Sequence, residues 1–431
     1  MKILLLGGGG REHAIAWALK KSKKVEALFA APGNPGIARL AACHSIDPCD
    51  SASVFKLLEA TGADHVVVGP EAPLVAGVAD SLREAGISVF GPGRDGARLE
   101  GSKSFAKQFM KRYGIPTAPF DIVQQMDEAE AALRKRKAPY VVKADGLAAG
   151  KGAFLPETLE EALQVCRSLL VEEELGDAGK TLVIEDYLPG TEMTVLAVTD
   201  GKTIRQLPSS QDHKRIFDGD KGPNTGGMGA YSPVPWADAA LLETIDRTIL
   251  LPTINGLESE GIDFRGIIYA GLMVDSQRNC RVLEYNVRLG DPEAQVVLAA
   301  FPGDWGEVVE ASCERRLDQI AWGQPEECAV GVVLASGGYP GDFGKGYRIL
   351  GIEEAEKRSG VLVFQAGTRM DPLHGLVTSG GRVLTVVGRS ETLDSAKEKA
   401  YAAASAIGFT DVFYRTDISA KAGLPPWQDR Q

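Results

Sequence analysis

Glu284, Asn286 and Arg288 stand at alternate positions of LEYNVRLGDPE, residues 283–293, so on an extended strand they share one face. A carboxylate and an amide oxygen are hard donors, and together with nucleotide phosphates they suit Mg2+. Arg288 could clamp a carboxylate or a phosphate with its planar fork. The rival reading is a surface salt-bridge ladder, although the GDPE turn that follows favours an exposed site. A second segment, QDHKRIFDGDKGPNTGGMGAYSP at 211–233, is longer and richer in glycine and charge than a plain connection needs. Its Asp212, Lys214, Arg215, Asp218, Asp220 and Lys221 could take a zwitterion; the alternative is a disordered insertion.

Two glycine-rich turns could cradle anions. GGGGREH, 7–13, follows an apolar strand and opens a helix, where free N–H groups and the helix dipole attract phosphate. Arg11 adds a cation just inside that helix, and a purely structural glycine turn is the competing reading. The dinucleotide fingerprint fails here: read from Gly7, Glu12 stands where the last glycine belongs, and the second strand ends in Ala-Ala-Pro without an acid. GLAAGKG, 146–152, misses the P-loop pattern, with Gly152 where Ser or Thr is required and strands on both sides. It reads as a hairpin that could carry Lys151 over a nucleotide, or as a flexible tip. Lys143, in VVKAD, lies inside an apolar strand and needs a phosphate or a carboxylate partner. VIEDYL, 183–188, with Glu192 beyond it, is by itself an ordinary strand end. The five histidines show no metal spacing, and no nucleophile sits beside a base. That favours chemistry done by positioning phosphate and metal.

The elements that must hold these residues follow from periodicity. Apolar strands at 2–6, 25–30, 64–68 and 87–90 alternate with helices, which predicts a parallel α/β sheet. Its ligand crevice would be built from the loops after the strand C-termini, GGGGREH, APGNPG, GPEAPL and GPG. Single helices are predicted over 74–86 and 99–114, then a small α/β module over 121–187. A helix over about 238–260 precedes a two-strand unit, GIIYAGLMVD and CRVLEYN, turning at DSQRN. Composition shifts near 321–327, and the strands ECAVGVVLAS, GVLVFQAGT and GRVLTVVG with the helix TLDSAKEKAYAAASAIG predict an α+β unit.

Length and composition bound the class. The 431 residues suggest about three domains. Forty-seven basic against 58 acidic residues leave a net charge of −11, which argues against nucleic acid and anionic membranes but not against small anions. Six cysteines without a CxxC pair imply neither a disulfide framework nor a zinc site and fit a reducing cytosol. MKILLL is too short for a signal-peptide core, and no apolar run is long enough to span a membrane.

With GGREHA, APGN, GPEAPL, LEGSK, VVKADGLAAGKG, SQDHKR, GPNTGGMGAYSP, YAGLM, EYNVR, GDPE, ASGGYPG and TSGGRVL assembled, the chain resembles the phosphoribosylamine–glycine ligases of the ATP-grasp superfamily over essentially its whole length. SQDHKR with GPNTGGMGAYSP is the most specific part of the match. Gly8, Leu289 and Thr194 depart from residues common in that family, and none of them removes a charge. The resemblance implies a combined α/β and α+β architecture. An N-terminal parallel α/β domain (pre-ATP-grasp) would cover 1–102. An ATP-grasp domain would cover 103–323 with a small mobile lid at about 121–187, followed by a C-terminal α+β domain at 324–423 and a tail at 424–431.

The implied reaction joins glycine to 5-phosphoribosylamine with ATP, through glycyl phosphate, giving glycinamide ribonucleotide, ADP and phosphate in the second step of de novo purine synthesis. By the same resemblance, Lys103, Lys143 and Lys151 would serve ATP, with Glu185 and Leu188 at the adenine edge and Glu192 at the ribose. Glu284 and Asn286 would hold Mg2+ or Mn2+, and any further metal acid would be as late as Asp275, at a turn. Asp212, Lys214, Arg288 and Asp291 would line the glycine and phosphoryl region; Gly10, Arg11, Glu12 and Glu71 would take the phosphoribosylamine. A cytoplasmic monomer is implied, with neither nucleic acid nor membrane as partner and with room for a transient contact with the amidotransferase of the preceding step. The nearest alternative is another ATP-grasp carboxylate–amine ligase. A nicotinamide oxidoreductase is disfavoured by the failed fingerprint, and a non-catalytic nucleotide-binding regulator by the presence of both Glu284 and Asn286.

Overall fold

The computed structural model describes residues 1–147 and 152–427. The apolar run Ile3–Leu6 has no solvent exposure, as a central strand covered on both faces requires. Strand Lys2–Gly7 sits mid-sheet, with Ala27–Pro32 and Ala42–Cys43 on one side and His65–Val68 and Ser88–Phe90 on the other, all parallel. The two-residue strand Ala42–Cys43 was not foreseen; it is short and exposed, so it carries no apolar pattern. The helix expected over 74–86 is instead two, Glu71–Ala76 and Val78–Glu84. Gly77 between them has φ +84°, a left-handed turn that ends the first helix.

The helix expected over 99–114 is likewise divided, into Arg94–Gly101 and Lys103–Arg112. Ser102 between them is extended, and its hydroxyl caps the second helix by accepting from Phe105 N at 3.1 Å. Asp145 fixes the joint, its carbonyl accepting from Lys103 N at 3.0 Å and its carboxylate from Ser104 N at 2.5 Å. Lys103 is thereby set at the start of a helix on the rim of the site.

A four-stranded antiparallel sheet follows, ordered Phe120–Val123, Leu182–Glu185, Val141–Ala144, Ala153–Phe154. Helices Met126–Arg134 and Leu159–Leu170 pack on it around a separate small core that includes Val123, Leu133, Val142, Leu169 and Ile184. The central antiparallel sheet is ordered Ile204–Gln206, Thr191–Thr199, Gly266–Val274, Cys280–Asn286. The helical run predicted for 238–260 is present as Ala239–Ile245, a π-helical stretch Asp246–Leu250, and Leu251–Ser259. Asp275 lies in a turn, its carboxylate accepting from Gln277 N and Asn279 N. Helix Glu293–Ala300 was not foreseen: all eight residues are buried, so no polar face marks it.

The expectation of one long loop at 211–233 is corrected. Gln211–Asp212 and Gly229–Ser232 extend the C-terminal sheet, where they lead into Cys328–Ser336, Arg382–Ser390 and Val361–Gln365. Between them Arg215–Phe217 and Lys221–Asn224 form a separate hairpin. The strand Gly229–Ser232 is buried along its whole length, so it shows no in–out alternation for the sequence to display. Helix Leu393–Ala404 covers the C-terminal sheet. That sheet also reaches the N-terminal glycine turn: Asn34 Nδ2 donates to the carbonyls of Gly8 at 2.9 Å and Gln365 at 2.8 Å, and Gln365 N donates to His13 Nδ1 at 2.8 Å. Among the described residues no helix is long and apolar enough to cross a membrane.

Candidate active site

The sheets converge on one cleft of about 760 Å³. The N-terminal sheet contributes Arg11 and Glu71, the small sheet Lys143, Glu185 and Leu188, and the C-terminal sheet Arg382. The central sheet and the segment after it bring Glu192, Glu284, Asn286, Arg288 and Asp291, and the 211–233 segment brings Asp212 and Lys214.

On the small-sheet side, Glu185 is 2% exposed and lies between two ammonium groups. Lys107 Nζ donates to its Oε2 at 2.7 Å, and Lys143 Nζ is 3.0 Å from its Oε1. Lys143 also donates to the Leu283 carbonyl at 3.0 Å, which ties the small sheet to the strand carrying Glu284. The partner that the sequence demanded for Lys143 is thus a carboxylate. Burial alone would raise the Glu185 carboxyl, but Lys143 and Lys107 outweigh it and hold it below the ordinary value. Burial pushes the Lys107 ammonium down to about 8, with Glu185 opposing.

At the floor, Lys214 Nζ donates to Glu192 Oε2 at 2.8 Å. Desolvation opposes the Lys214 charge, yet Glu192, Asp212 and Glu284 hold its ammonium well above the ordinary lysine range. Desolvation pushes the Asp212 carboxyl up to about 7; Lys214 opposes this, while Glu293 and Glu192 add to it. Glu293 accepts from the Tyr269 hydroxyl at 2.7 Å, and that hydroxyl accepts from Thr194 Oγ1 at 3.1 Å. Glu284 is desolvated too, but Lys214, Lys103, Lys143 and Arg288 hold its carboxyl below the ordinary value, so it stays ionised.

Arg288 links this floor to the N-terminal side. Its Nη2 donates to Asn286 Oδ1 at 3.0 Å and pairs with Glu100 at 2.6 Å, and its Nε donates to Glu71 at 3.3 Å. Glu100 in turn accepts from Val287 N at 2.9 Å, which fixes the turn after the Glu284 strand. Arg11 Nη1 donates to the Leu289 carbonyl at 3.1 Å and lies 3.8 Å from Glu71. Asp291 would be raised by burial, but Arg382 and Arg11 keep it below the ordinary carboxylate value.

The structure brings Lys103, Lys143, Glu185, Leu188, Glu192, Asp212, Lys214, Glu284, Asn286, Arg288, Asp291, Arg11 and Glu71 onto the wall of this single cleft. Gly10 and Glu12 are not on that wall. Glu12 is 3% exposed and turns back to accept from Gly9 N at 2.6 Å, capping its own helix. A Cβ on Gly10 would meet the Gln295 amide at 2.7 Å, so that position faces protein. Lys151 lies outside the described residues. Sequence reasoning missed Glu100, Lys107, Tyr269, Glu293 and Arg382. Glu100 lies within LEGSK and Glu293 within GDPE, but neither has a partner visible in sequence.

Glu284 and Asn286 remain the candidate metal donors. An ionised carboxylate and an amide oxygen, two apart on one strand, suit a small hard cation that takes its remaining oxygens from phosphate and water. Among the described residues no cluster of three or more His, Cys, Asp or Glu could hold a metal by itself.

Comparison with known proteins gives the family. The N domain of phosphoribosylglycinamide synthetase matches residues 1–100, its ATP-grasp (A) domain 101–294 and its C domain 329–421. The phosphoribosylamine–glycine ligase of Clostridium acetobutylicum is 45% identical over 97% of this chain and 99% of its own length. That of Escherichia coli O6:H1 is 44% identical over 98% and 99%. The crystal structure of the Thermotoga maritima phosphoribosylamine–glycine ligase superposes with a TM-score of 0.84 at 37% identity, covering 97% of this chain and all of that one. The biotin carboxylase domain of Hydrogenobacter thermophilus 2-oxoglutarate carboxylase, at 16% identity and a TM-score of 0.73, shares the fold alone. Three matched domains in series and full-length relatives place this chain in the phosphoribosylglycinamide synthetase family.

Proposed function

We infer that this chain ligates glycine to 5-phosphoribosylamine at the expense of ATP, yielding glycinamide ribonucleotide, ADP and phosphate in de novo purine synthesis. The observation that carries this is the 44–45% identity to phosphoribosylamine–glycine ligases across nearly the whole of both chains. The cleft suits the chemistry, which needs charge neutralised at phosphate and carboxylate and no protein nucleophile.

Lys103 reaches the ATP phosphates from the rim and Lys143 from the small sheet, while the Glu185–Leu188 strand end meets adenine and Glu192 the ribose. Glu284 and Asn286 hold Mg2+ or Mn2+, which neutralises phosphate charge when bound. Lys214 and Arg288 orient the glycine carboxylate against the γ-phosphorus, and Asp212 takes the ammonium end. A carboxylate oxygen attacks phosphorus and ADP leaves, forming glycyl phosphate. The amine of phosphoribosylamine then attacks the acyl carbon, losing a proton and expelling phosphate. Arg11 and Glu71 face that second substrate, with Asp291 between the two regions. The enzyme works as a cytoplasmic monomer with a lid that closes over ATP.

The test is ADP release with Mg-ATP and glycine, with and without phosphoribosylamine made in place from ribose 5-phosphate and ammonia. Release that needs both substrates, with glycinamide ribonucleotide seen by mass, is expected. Release indifferent to glycine or to the amine would assign the cleft to a different carboxylate–amine pair.

A further inference from the structure

The hairpin Arg215–Phe217/Lys221–Asn224 carries Arg215, Asp220 and Asn224 to the cleft, yet its second strand is exposed at every residue. An isolated two-stranded hairpin is marginal in water, so something else must hold it. Ile216 is buried against Met228 and Ala335, and the polar hold comes from the C-terminal segment that begins at strand Val412–Phe413. Arg415, 1% exposed, is the centre of that contact. Its Nη1 donates to the Arg215 carbonyl at 3.0 Å and to Asp220 Oδ1 at 2.9 Å. Its Nε and Nη2 donate to the two oxygens of Asp417 at 2.7 and 2.8 Å.

The neighbours of Arg415 repeat the pattern. Asp417 Oδ2 accepts from Gly219 N at 2.8 Å, and Asp218 Oδ1 accepts from Thr416 N at 2.9 Å. Lys421 Nζ donates to Asp220 Oδ2 at 2.7 Å and itself lines the cleft. Phe413 meets Phe217 edge-on at 5.8 Å. At the base of the hairpin, the Lys214 carbonyl accepts from Thr225 N at 2.7 Å and Thr225 Oγ1 at 2.8 Å, so the hairpin closes directly onto the residue whose ammonium stands at the cleft floor.

We propose that Arg415 is a positioning residue: with Asp417 it clamps the 215–224 hairpin and thereby sets Lys214 for the phosphoryl transfer step. The proposal rests on the assignment of Lys214 to that step. A buried guanidinium with its donors spread over a carbonyl and two carboxylates gives a fixed geometry that an ammonium cannot reproduce. Misplacement of a catalytic group by about 1 Å can cost on the order of 100-fold in rate.

The test compares Arg415→Ala, Arg415→Lys, Asp220→Asn and the Arg415→Ala/Asp220→Asn double variant with the full-length wild type. In Arg415→Ala, amide hydrogen exchange over 215–225 should quicken by about tenfold or more. The kcat should fall on the order of 10–100-fold with KM for ATP within about twofold of wild type. Arg415→Lys should recover part of that loss, and the double variant should lose less than the product of the single losses. Unchanged kcat in folded Arg415→Ala, full recovery by lysine, or a loss matched by the unfolded fraction would overturn the proposal. Should Arg415→Ala fail to fold, Asp220→Asn and Arg415→Lys decide it, because the Asp220 side chain is 45% exposed and tolerates the change. Hydrogen exchange needs no substrate. If wild type fails to turn over glycine, the functional reading fails, while the exchange result still decides whether the clamp exists.

Discussion

Replacing Glu293 with Gln should move the acid limb of glycine use to lower pH. Asp212 sits near 7 because desolvation raises it and the Glu293 and Glu192 charges raise it further, against the pull of Lys214. If ionised Asp212 receives the glycine ammonium, kcat/KM for glycine follows the ionised fraction in the free enzyme. With a value of about 7, roughly a tenth of the molecules are ionised at pH 6 and roughly nine-tenths at pH 8, so kcat/KM should rise about tenfold across that interval. Gln at 293 keeps an oxygen for the Tyr269 hydroxyl, which donates to that side chain at 2.7 Å, but removes the like charge. The limb should then move to lower pH, and the variant should outperform wild type relative to its own plateau at pH 6. The assay is initial-rate ADP release at limiting glycine and saturating ATP and amine, from pH 5.5 to 8.5. A profile flat from pH 6 to 8, or a limb unmoved by Glu293→Gln, would refute the assignment of Asp212. The stability sign is opposite. A carboxyl raised in the folded state contributes most when protonated and loses that contribution as pH rises from about 3.8 to about 7. Asp212→Asn should accordingly raise the melting temperature more at pH 8 than at pH 4.

Three further outcomes follow from the same geometry. Glu185→Ala strands two buried ammonium groups, and breaking such a pair costs about 3–5 kcal/mol. Native-state hydrogen exchange of the small-sheet core should report that loss, and a change under about 1 kcal/mol would contradict the pairing. Arg288→Lys keeps the charge but loses the fork shared by Glu100, Glu71 and Asn286, so kcat/KM should fall on the order of 10–100-fold; a loss under about threefold would remove the fork from the site. His13→Leu orphans the Gln365 N–H, at a cost of about 1–3 kcal/mol. Burial holds the His13 imidazole down to about 3, so the unfolded chain binds the extra proton between about 6.5 and 3 and stability is lost as pH drops through that interval. In denaturant titrations at pH 7, 5 and 4, wild type should lose stability faster than His13→Leu, and parallel losses would contradict the buried neutral imidazole.

What was legible in the sequence had a local signal. The alternate spacing of Glu284 and Asn286 reads directly as one strand face; the strand ends at Asn286, and Arg288 reaches the same cleft from the bend after it. Lys143 declared its need for a partner by sitting in an apolar strand, but only the sheet register shows that the partner is Glu185. The parallel N-terminal sheet was readable from its buried strands, and the two broken helices were not. Gly77 and Ser102 change the backbone direction without interrupting the apolar periodicity that marks a helix. The strand Gly229–Ser232 was hidden because one of its partners, Cys328–Ser336, lies about a hundred residues away. Glu100, Lys107 and Arg382 matter through contacts between distant segments, and no spacing rule encodes those. At the glycine turn, the bond from Gly9 N to the Glu12 side chain is a contact that the glycine spacing does not display.

Acyl phosphate chemistry is tested most directly by running one turnover with glycine labelled with 18O in both carboxylate oxygens, then weighing the products. Attack by the glycine carboxylate on the γ-phosphorus predicts one labelled oxygen in the released phosphate and one in the glycinamide ribonucleotide. Unlabelled phosphate, with ADP still formed, would mean that water or another group attacks phosphorus, and glycyl phosphate would have no place in the reaction.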